Sequence, residues 1–350
     1  MKFIHIADVH LGADPAAGSA YSKKRSRELW ETLAEVIRTC QKEGTDLLLI
    51  AGDLFHRQPL RRELKEVDGM FASLKHTKVV LIAGNHDYIR RDSYYRTFSW
   101  SENVTMLREE TLTCAEYPEL DTAVYGLSYH AREIRKALYE KERPKRRQKY
   151  EILLAHGGDE AHIPIHKREL LAQGYDYVAL GHIHKPQVLE ENKIVYAGAL
   201  EPIDINDTGV HGYVAGEFTE HGCKTRFVPA ASREYRQIEI VVDKRTTGYE
   251  LAGKIKEAIE QEGTRHMYKV RVTGFCDPEI RFDLSGMDAY GNIVEMADET
   301  KPAYEFEKLL EQNQDNLLGS YIKSFLGAEE NSVEYRALCA GVQALMETRI

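Results

Sequence analysis

Five short apolar runs in this chain each end on Gly or Ala, followed by side chains that bind metal ions. Asp8 and His10 follow FIHIA, Asp53 and His56 follow LLLIAG, and Asn85, His86 and Asp87 follow VVLIAG. His156 follows ILLA, and His182 and His184 follow VALG. Asp8, His10, Asp53, Asn85, His156, His182 and His184 are seven potential ligands. A lone structural zinc needs four donors and a catalytic zinc three plus an open position, so seven point to two ions. A carboxylate such as Asp53 can bridge cations about 3.5–4 Å apart, the spacing at which a metal pair clamps a phosphate ester. Imidazole, carboxylate and amide donors without thiolate suit Mn²⁺, Fe²⁺ or Zn²⁺ and argue against iron–sulfur or Cu(I) chemistry.

Such residues must be brought to one place by the elements that precede them. Buried parallel strands read as continuous Val/Ile/Leu/Ala runs, and in open α/β folds ligands collect beyond the carboxyl ends of the strands. After the first strand comes a long loop, Gly12–Ser22. Helical spacing over about Glu28–Lys42 and Leu60–Leu74 then alternates with strands Leu47–Ala51 and Val79–Ala83, an α/β arrangement. Tyr125–Leu127, Glu151–Ala155, Tyr177–Leu180 and Ile194–Tyr196 continue the series, and residues 212–218 and 223–229 predict a hairpin. Past Ala231 the composition changes. Residues 235–242, Glu250–Glu262 and 267–275 predict a small βαβ unit without a ligand cluster. From Pro302 onward three helices are expected. Their Leu309, Leu310, Leu317, Leu318, Ile322, Phe325 and Leu326 either pack on their own subdomain or form an amphipathic docking face. The expected division is 1–231, 232–290 and 291–350.

Taken in order, DVH, GDLFH, GNHD, AHG and GHIH resemble the motifs of the calcineurin-like metallophosphoesterases. GDLFH together with YAGALEP (Tyr196–Pro202) resembles the DNA-repair exonuclease branch, of SbcD and YhaO type. The likeness covers roughly the first two-thirds of the chain. It implies a four-layer αββα sandwich with a small α+β capping domain, which helps hold duplex DNA over the metals, and C-terminal helices. It implies that Asp8, His10, Asp53 and His184 hold one ion, and that Asp53, Asn85, His156 and His182 hold the other. His56 and His86 would contact the substrate phosphate, with His86 as proton donor and Asp87 paired to it. The activity implied is a Mn²⁺-dependent 3′–5′ exonuclease with endonuclease capacity, working with an SMC-like coiled-coil ATPase and forming a homodimer. A phosphoesterase for small substrates such as cyclic nucleotides is the alternative.

The remaining sequence bounds this reading. A hydrophobic content of 43% with 29% charged residues is that of an ordinary soluble globular protein. No apolar run reaches the ~18 residues that span a bilayer. MKFIHIADVH enters a strand at once, so no secretory signal is expected. Cys40, Cys114, Cys223, Cys276 and Cys339 are scattered and odd in number, as in reduced cytoplasmic proteins. The net charge of −9 argues against a nucleic-acid enzyme until its distribution is considered. Residues 231–350 hold 15 Lys/Arg against 22 Asp/Glu and so carry most of it. Basic residues sit beside the motif loops: Lys23, Lys24, Arg25 and Arg27, then Arg57, Arg61 and Arg62, then Arg90, Arg91 and Arg96. They are either phosphate contacts or solvated helix starts. KERPKRRQK (141–149) reads first as an exposed connector. Of the other histidines, only His162 and His166 lie near a ligand-bearing loop.

Overall fold

The computed structural model describes residues 1–15, 21–140, 142–329 and 332–348. The expected loop Gly12–Ser22 and the basic run 141–149 therefore fall partly outside the described residues, at 16–20 and at 141. The chain forms two compact units, Met1–Tyr235 and Arg236–Ile350.

The first unit runs β1 (Lys2–Ile6), α1 (Ser22–Glu43), β2 (Leu47–Ala51), α2 (Arg61–Ala72), β3 (Lys78–Ile82), β4 (Val104–Met106), β5 (Thr113–Tyr117), β6 (Thr122–Gly126), β7 (Tyr150–His156), α3 (Lys167–Gln173), β8 (Tyr177–Gly181), β9 (Gln187–Glu190), β10 (Ile194–Tyr196), β11 (Gly212–Thr219) and β12 (Gly222–Pro229). These strands form two six-stranded sheets, β12-β11-β1-β2-β3-β4 and β5-β6-β7-β8-β10-β9. The inner strands pair in parallel, with Ile6 beside Ile50 and Ala51 beside Ile82 in one sheet, and His156 beside Gly181 in the other. Antiparallel strands finish three of the four edges, the β11–β12 hairpin on β1, β5 on β6, and β9 on β10, while β4 pairs in parallel with β3 at the fourth.

Period-two alternation sorts each strand between two cores. Phe3, Leu47, Leu49, Val80 and Ile82 face the second sheet and pack with Val124, Ile152, Leu154, Tyr177 and Ala179. Their neighbours Ile4, Ile6, Leu48, Ile50, Val79 and Leu81 face outward against Leu29, Leu33, Val36 and Ile37 of α1 and Leu64, Val67 and Phe71 of α2. On the far side, Tyr125, Leu153, Ala155 and Val178 are covered by Leu170 of α3 and by Tyr129 and Tyr139 from long loops. This is the expected four-layer sandwich, and one of its outer layers is largely irregular.

In the second unit, β13 (Tyr235–Val242), α4 (Gly248–Glu262), β14 (Met267–Cys276), β15 (Ile293–Asp298) and β16 (Lys301–Pro302) build a small sheet in the order β13-β14-β15, with β16 also on β14. The sheet continues past residue 290, where the sequence suggested a boundary. Leu251, Ile255 and Ile259 of α4 pack on Val270 and Val272. Helices α5 (Phe306–Gln312), α6 (Leu317–Ser324) and α7 (Val333–Glu347) follow. They share a core of Leu318, Ile322, Leu338 and Val342, whereas Leu317 and Leu326 stay 69% and 65% exposed. No helix among the described residues is long and apolar enough to cross a membrane.

Candidate metal centre

The parallel strands carry their following residues to a single edge of the sandwich. Asp8 lies beyond β1, Asp53 beyond β2, Asn85 and His86 beyond β3, His156 closes β7, and His182 and His184 follow β8. Backbone bonds lace these ends together: the Asp8 N–H donates to the Gly52 carbonyl and the His10 N–H to that of Asp53. Four of the donor residues adopt positive-φ backbone, with φ of 49° at Asp8 and His10, 48° at Asp53 and 95° at His182. Non-glycine residues avoid this region unless the surroundings enforce it, and such strain gathers at functional sites. The glycines before the ligands make room as well as turns. A Cβ at Gly84 would sit 2.2 Å from Asp53 Oδ1, and one at Gly52 2.4 Å from His156 Nδ1.

All seven sequence-predicted donors converge. Asp8, His10, Asp53, Asn85 and His156 are buried, while His182 and His184 are partly open. Asp8, His10 and His184 bring ligand atoms within 4.8 Å of one another, as do Asp8, Asp53 and His156. Asp53 Oδ2 lies 3.9 Å from His10 Nε2 and 3.4 Å from His156 Nε2, between the two groups. Asn85 Oδ1 is 2.9 Å from His156 Nε2 and 3.1 Å from His182 Nδ1. His10 Nε2 and His184 Nε2 face each other at 3.1 Å.

The outer nitrogens show that these donors suit cations. His156 Nδ1 donates to the Ala51 carbonyl at 2.9 Å, His182 Nε2 to Asp159 Oδ2 at 2.8 Å, and His184 Nδ1 to Asp207 Oδ2 at 3.0 Å. With one nitrogen engaged outward, His156 and His182 turn the other toward carboxylate and amide oxygens, and His184 turns its other toward His10 Nε2. Such a pocket is satisfied only by protons or by cations. Proton affinities reflect this crowding. Burial pushes His10 far down, and burial with the neighbouring His156 brings His182 down to about 4. Burial opposes protonation of His156, but Asp53 and Asp8 hold it up at about 9. Burial likewise opposes protonation of His184, and Asp207 and Asp8 raise it to about 9. Asp53 stays ionised despite its burial because His156 and His10 adjoin it.

His56 and His86 stack at the mouth with ring centroids 4.9 Å apart, and both join a cluster with His10. His86 Nδ1 lies 3.2 Å from the His56 carbonyl. Asp87 differs from expectation. It turns away from His86 and accepts from the Gly84 N–H at 2.8 Å, the Phe55 N–H at 3.2 Å and the Tyr95 hydroxyl at 2.8 Å. Adjacency in sequence sends the two side chains in different directions, so Asp87 ties loops together instead of charging His86. Burial and the charge of Asp53 push its carboxyl up to about 7.

Arg25 is a second correction. It is fully buried and pairs with Glu28 at 2.6 Å and Glu201 at 3.1 Å, so it offers nothing to a phosphate backbone. Arg57 pairs with Glu63 and Arg90 with Asp92, while Arg61, Arg62 and Arg91 are exposed. In the basic run, Arg146 and Arg147 pair with Asp176 and Glu116 near the amino ends of β8 and β7, the edge opposite the donors. His166 pairs with Glu140, and His162 donates to Asp159. Asp159 and Asp207, both distant from their histidines in sequence, had no motif to mark them.

A model of the calcineurin-like phosphoesterase family matches residues 1–186. The chain is 32% identical over 235 residues to the uncharacterized metallophosphoesterase YhaO of Bacillus subtilis, covering 61% of this chain and 56% of that one. It is 29% identical over 279 residues to the DNA double-strand break repair protein Mre11 of Methanopyrus kandleri, covering 69% and 59%. To the protein of the same name from Methanocaldococcus jannaschii it is 27% identical over 230 residues, covering 59% and 58%. The chain thus spans under two-thirds of the length of each of these relatives. A matched family model over more than half the chain, on the sandwich and donor cluster described above, means that this protein belongs to the calcineurin-like phosphoesterase family of metal-dependent phosphoesterases.

Proposed function

We propose that this protein is a two-metal phosphodiesterase acting on DNA, a 3′–5′ exonuclease with endonuclease capacity that works beside an SMC-like coiled-coil ATPase in the cytoplasm. The observation that carries the hydrolytic part is the convergence of seven donors around Asp53, with His56 and His86 left over at the mouth. Asp8, His10, Asp53 and His184 would hold one ion, and Asp53, Asn85, His156 and His182 the other. When bound, two divalent cations, with Mn²⁺ first, neutralise non-bridging phosphate oxygens and acidify the attacking water. The chain's own part is orientation and proton handling. His86 Nδ1 faces the His56 carbonyl, so one proton is held there, and acting as the imidazolium the ring would give its second proton, on Nε2, to the departing sugar oxygen and end as the neutral Nδ1–H form. His56 adjoins His10 through paired Nδ1 atoms 3.3 Å apart, which sets its ring against the phosphate path. Asp87, with its three donors, keeps the His86 loop in register with Phe55.

DNA as substrate is supported by the names of two relatives and by exposed Arg61, Arg62 and Arg91 on loops and a helix start that follow the donors. The ATPase and a homodimer are carried over from the resemblance, whereas the division at 231 and 290 comes from the composition and element pattern of the sequence. The test is incubation with Mn²⁺ and duplex DNA labelled at either end, beside a cyclic nucleotide and bis-p-nitrophenyl phosphate. Stepwise shortening from the 3′ end is expected. Turnover of the cyclic nucleotide with untouched DNA would replace this reading by a small-substrate phosphoesterase.

A further inference from the structure

Two of the proposed ligands are held from outside by carboxylates that belong to no motif. His182 donates through Nε2 to Asp159 and turns Nδ1 toward Asn85. His184 does the reverse: it donates through Nδ1 to Asp207 and turns Nε2 toward His10. The two rings sit two residues apart yet present opposite nitrogens, and the carboxylate behind each one decides which. Imidazole ligands generally owe their tautomer and ring orientation to such a partner.

The two carboxylates differ in setting. Asp207 has a side chain only 12% exposed and also accepts the Ile203 and Asp204 N–H groups at 3.0 and 3.1 Å. Asp159 is 48% exposed, and its oxygens are shared with His162 Nδ1 at 2.9 Å and with the Ala161 and His162 N–H groups. Water competes for Asp159 far more than for Asp207.

We propose that Asp159 and Asp207 are positioning residues, one for each ion, which fix the metal-facing nitrogens of His182 and His184. The ion on the Asp159 side is accordingly the one that exchanges more readily. This rests on the ligand assignment proposed above, and the test separates the two claims.

Metal-free protein is titrated with Mn²⁺, with bound metal measured by equilibrium dialysis and elemental analysis and the coupled pair followed by electron paramagnetic resonance. The variants are D159N, D207N, H182A, H184A and the doubles. D159N should weaken one ion by about 10–100-fold and leave the other. The coupled signal should give way to that of an isolated Mn²⁺, and the metal-free melting temperature should stay at the wild-type value. D207N should weaken the other ion. In double-mutant cycles D159N should add little to H182A but its full factor to H184A. On exposure to a chelator, the wild-type protein should lose first the ion that D159N weakens. Wild-type binding of both ions by D159N, or full additivity with H182A, overturns the inference while the ligand assignment stands. Wild-type binding of both ions by H182A overturns the ligand assignment, and the inference with it.

Discussion

His156 and His184 carry protons that an arriving cation must displace. In the metal-free protein both sit at about 9, whereas His182 at about 4 and His10, lower still than an ordinary histidine, already offer lone pairs. The sign follows directly. Groups with raised values are protonated at pH 7, so Mn²⁺ binding there should release about two protons, and affinity should climb with pH until about 9. Asp8, pushed by burial up to about 6, adds a further penalty below that pH. Calorimetric titration at pH 7 in buffers of different ionisation enthalpy reads the proton count, and a count of zero would contradict this assignment. Substitutions separate holding from turnover. His86→Ala should keep both ions and lose about 10²–10⁴ in kcat, the usual worth of a general acid. Asp53→Ala, which removes the carboxylate between the two groups, should lose metal as well as activity. Elemental analysis beside a diester assay distinguishes these outcomes.

Glycines at the strand ends govern how closely the two sheets approach. A Cβ at Gly181 would fall 2.0 Å from the Ala51 carbonyl oxygen and 2.9 Å from the Ala7 side chain. Gly181→Ala must therefore push β8 away from β2 where the donors meet. It should cost about 1–3 kcal/mol, as overpacking does, and weaken metal binding in the same variant. Gly69 is the contrast, since it is exposed on α2 with nothing within 4 Å of an added Cβ. Gly69→Ala should stabilise by up to about 1 kcal/mol through helix propensity alone. Urea unfolding of the pair checks both signs. The elements that carry ligands were readable because buried parallel strands need unbroken apolar runs, and β1, β2, β3, β7 and β8 have them. Strands β4, β5 and β9 were not. They are three to five residues long with partly exposed side chains, and edge pairing leaves no such trace. The donors were legible because each closes or closely follows its strand. Asp159 and Asp207 were not, because 23 residues separate each from its histidine. For Arg25 a signal existed: it precedes Leu29 and Leu33 at helical spacing, which places it on the buried face.

The last residues of the first unit, which ends at Tyr235, complete a buried charge network and lie just past the division at 231 that composition suggested. Arg25 lies between Glu28 and Glu201 and donates to the Pro202 carbonyl. Glu201 also accepts from the Thr32 hydroxyl at 2.6 Å and from the Ser232 N–H and hydroxyl at 2.6 and 2.7 Å. Arg233 reaches back to both oxygens of Glu28 at 2.9 Å. Ser232 and Arg233 thus complete the partners of two buried carboxylates, one on α1 and one on the loop that follows β10. A chain ending at residue 235 keeps the whole network, all seven donors and the three cores of the sandwich. It should fold, bind two Mn²⁺ ions and hydrolyse bis-p-nitrophenyl phosphate. A chain ending at residue 231 leaves Glu28 without Arg233 and Glu201 without Ser232. Breaking a buried pair by removing one partner costs about 3–5 kcal/mol, a large share of the ~5–15 kcal/mol that holds a typical domain together. The shorter chain should therefore melt markedly lower, or fail to accumulate, while the longer one behaves as an independent domain. Equal melting temperatures for the two would show that the network contributes little and that the domain closes at Ala231.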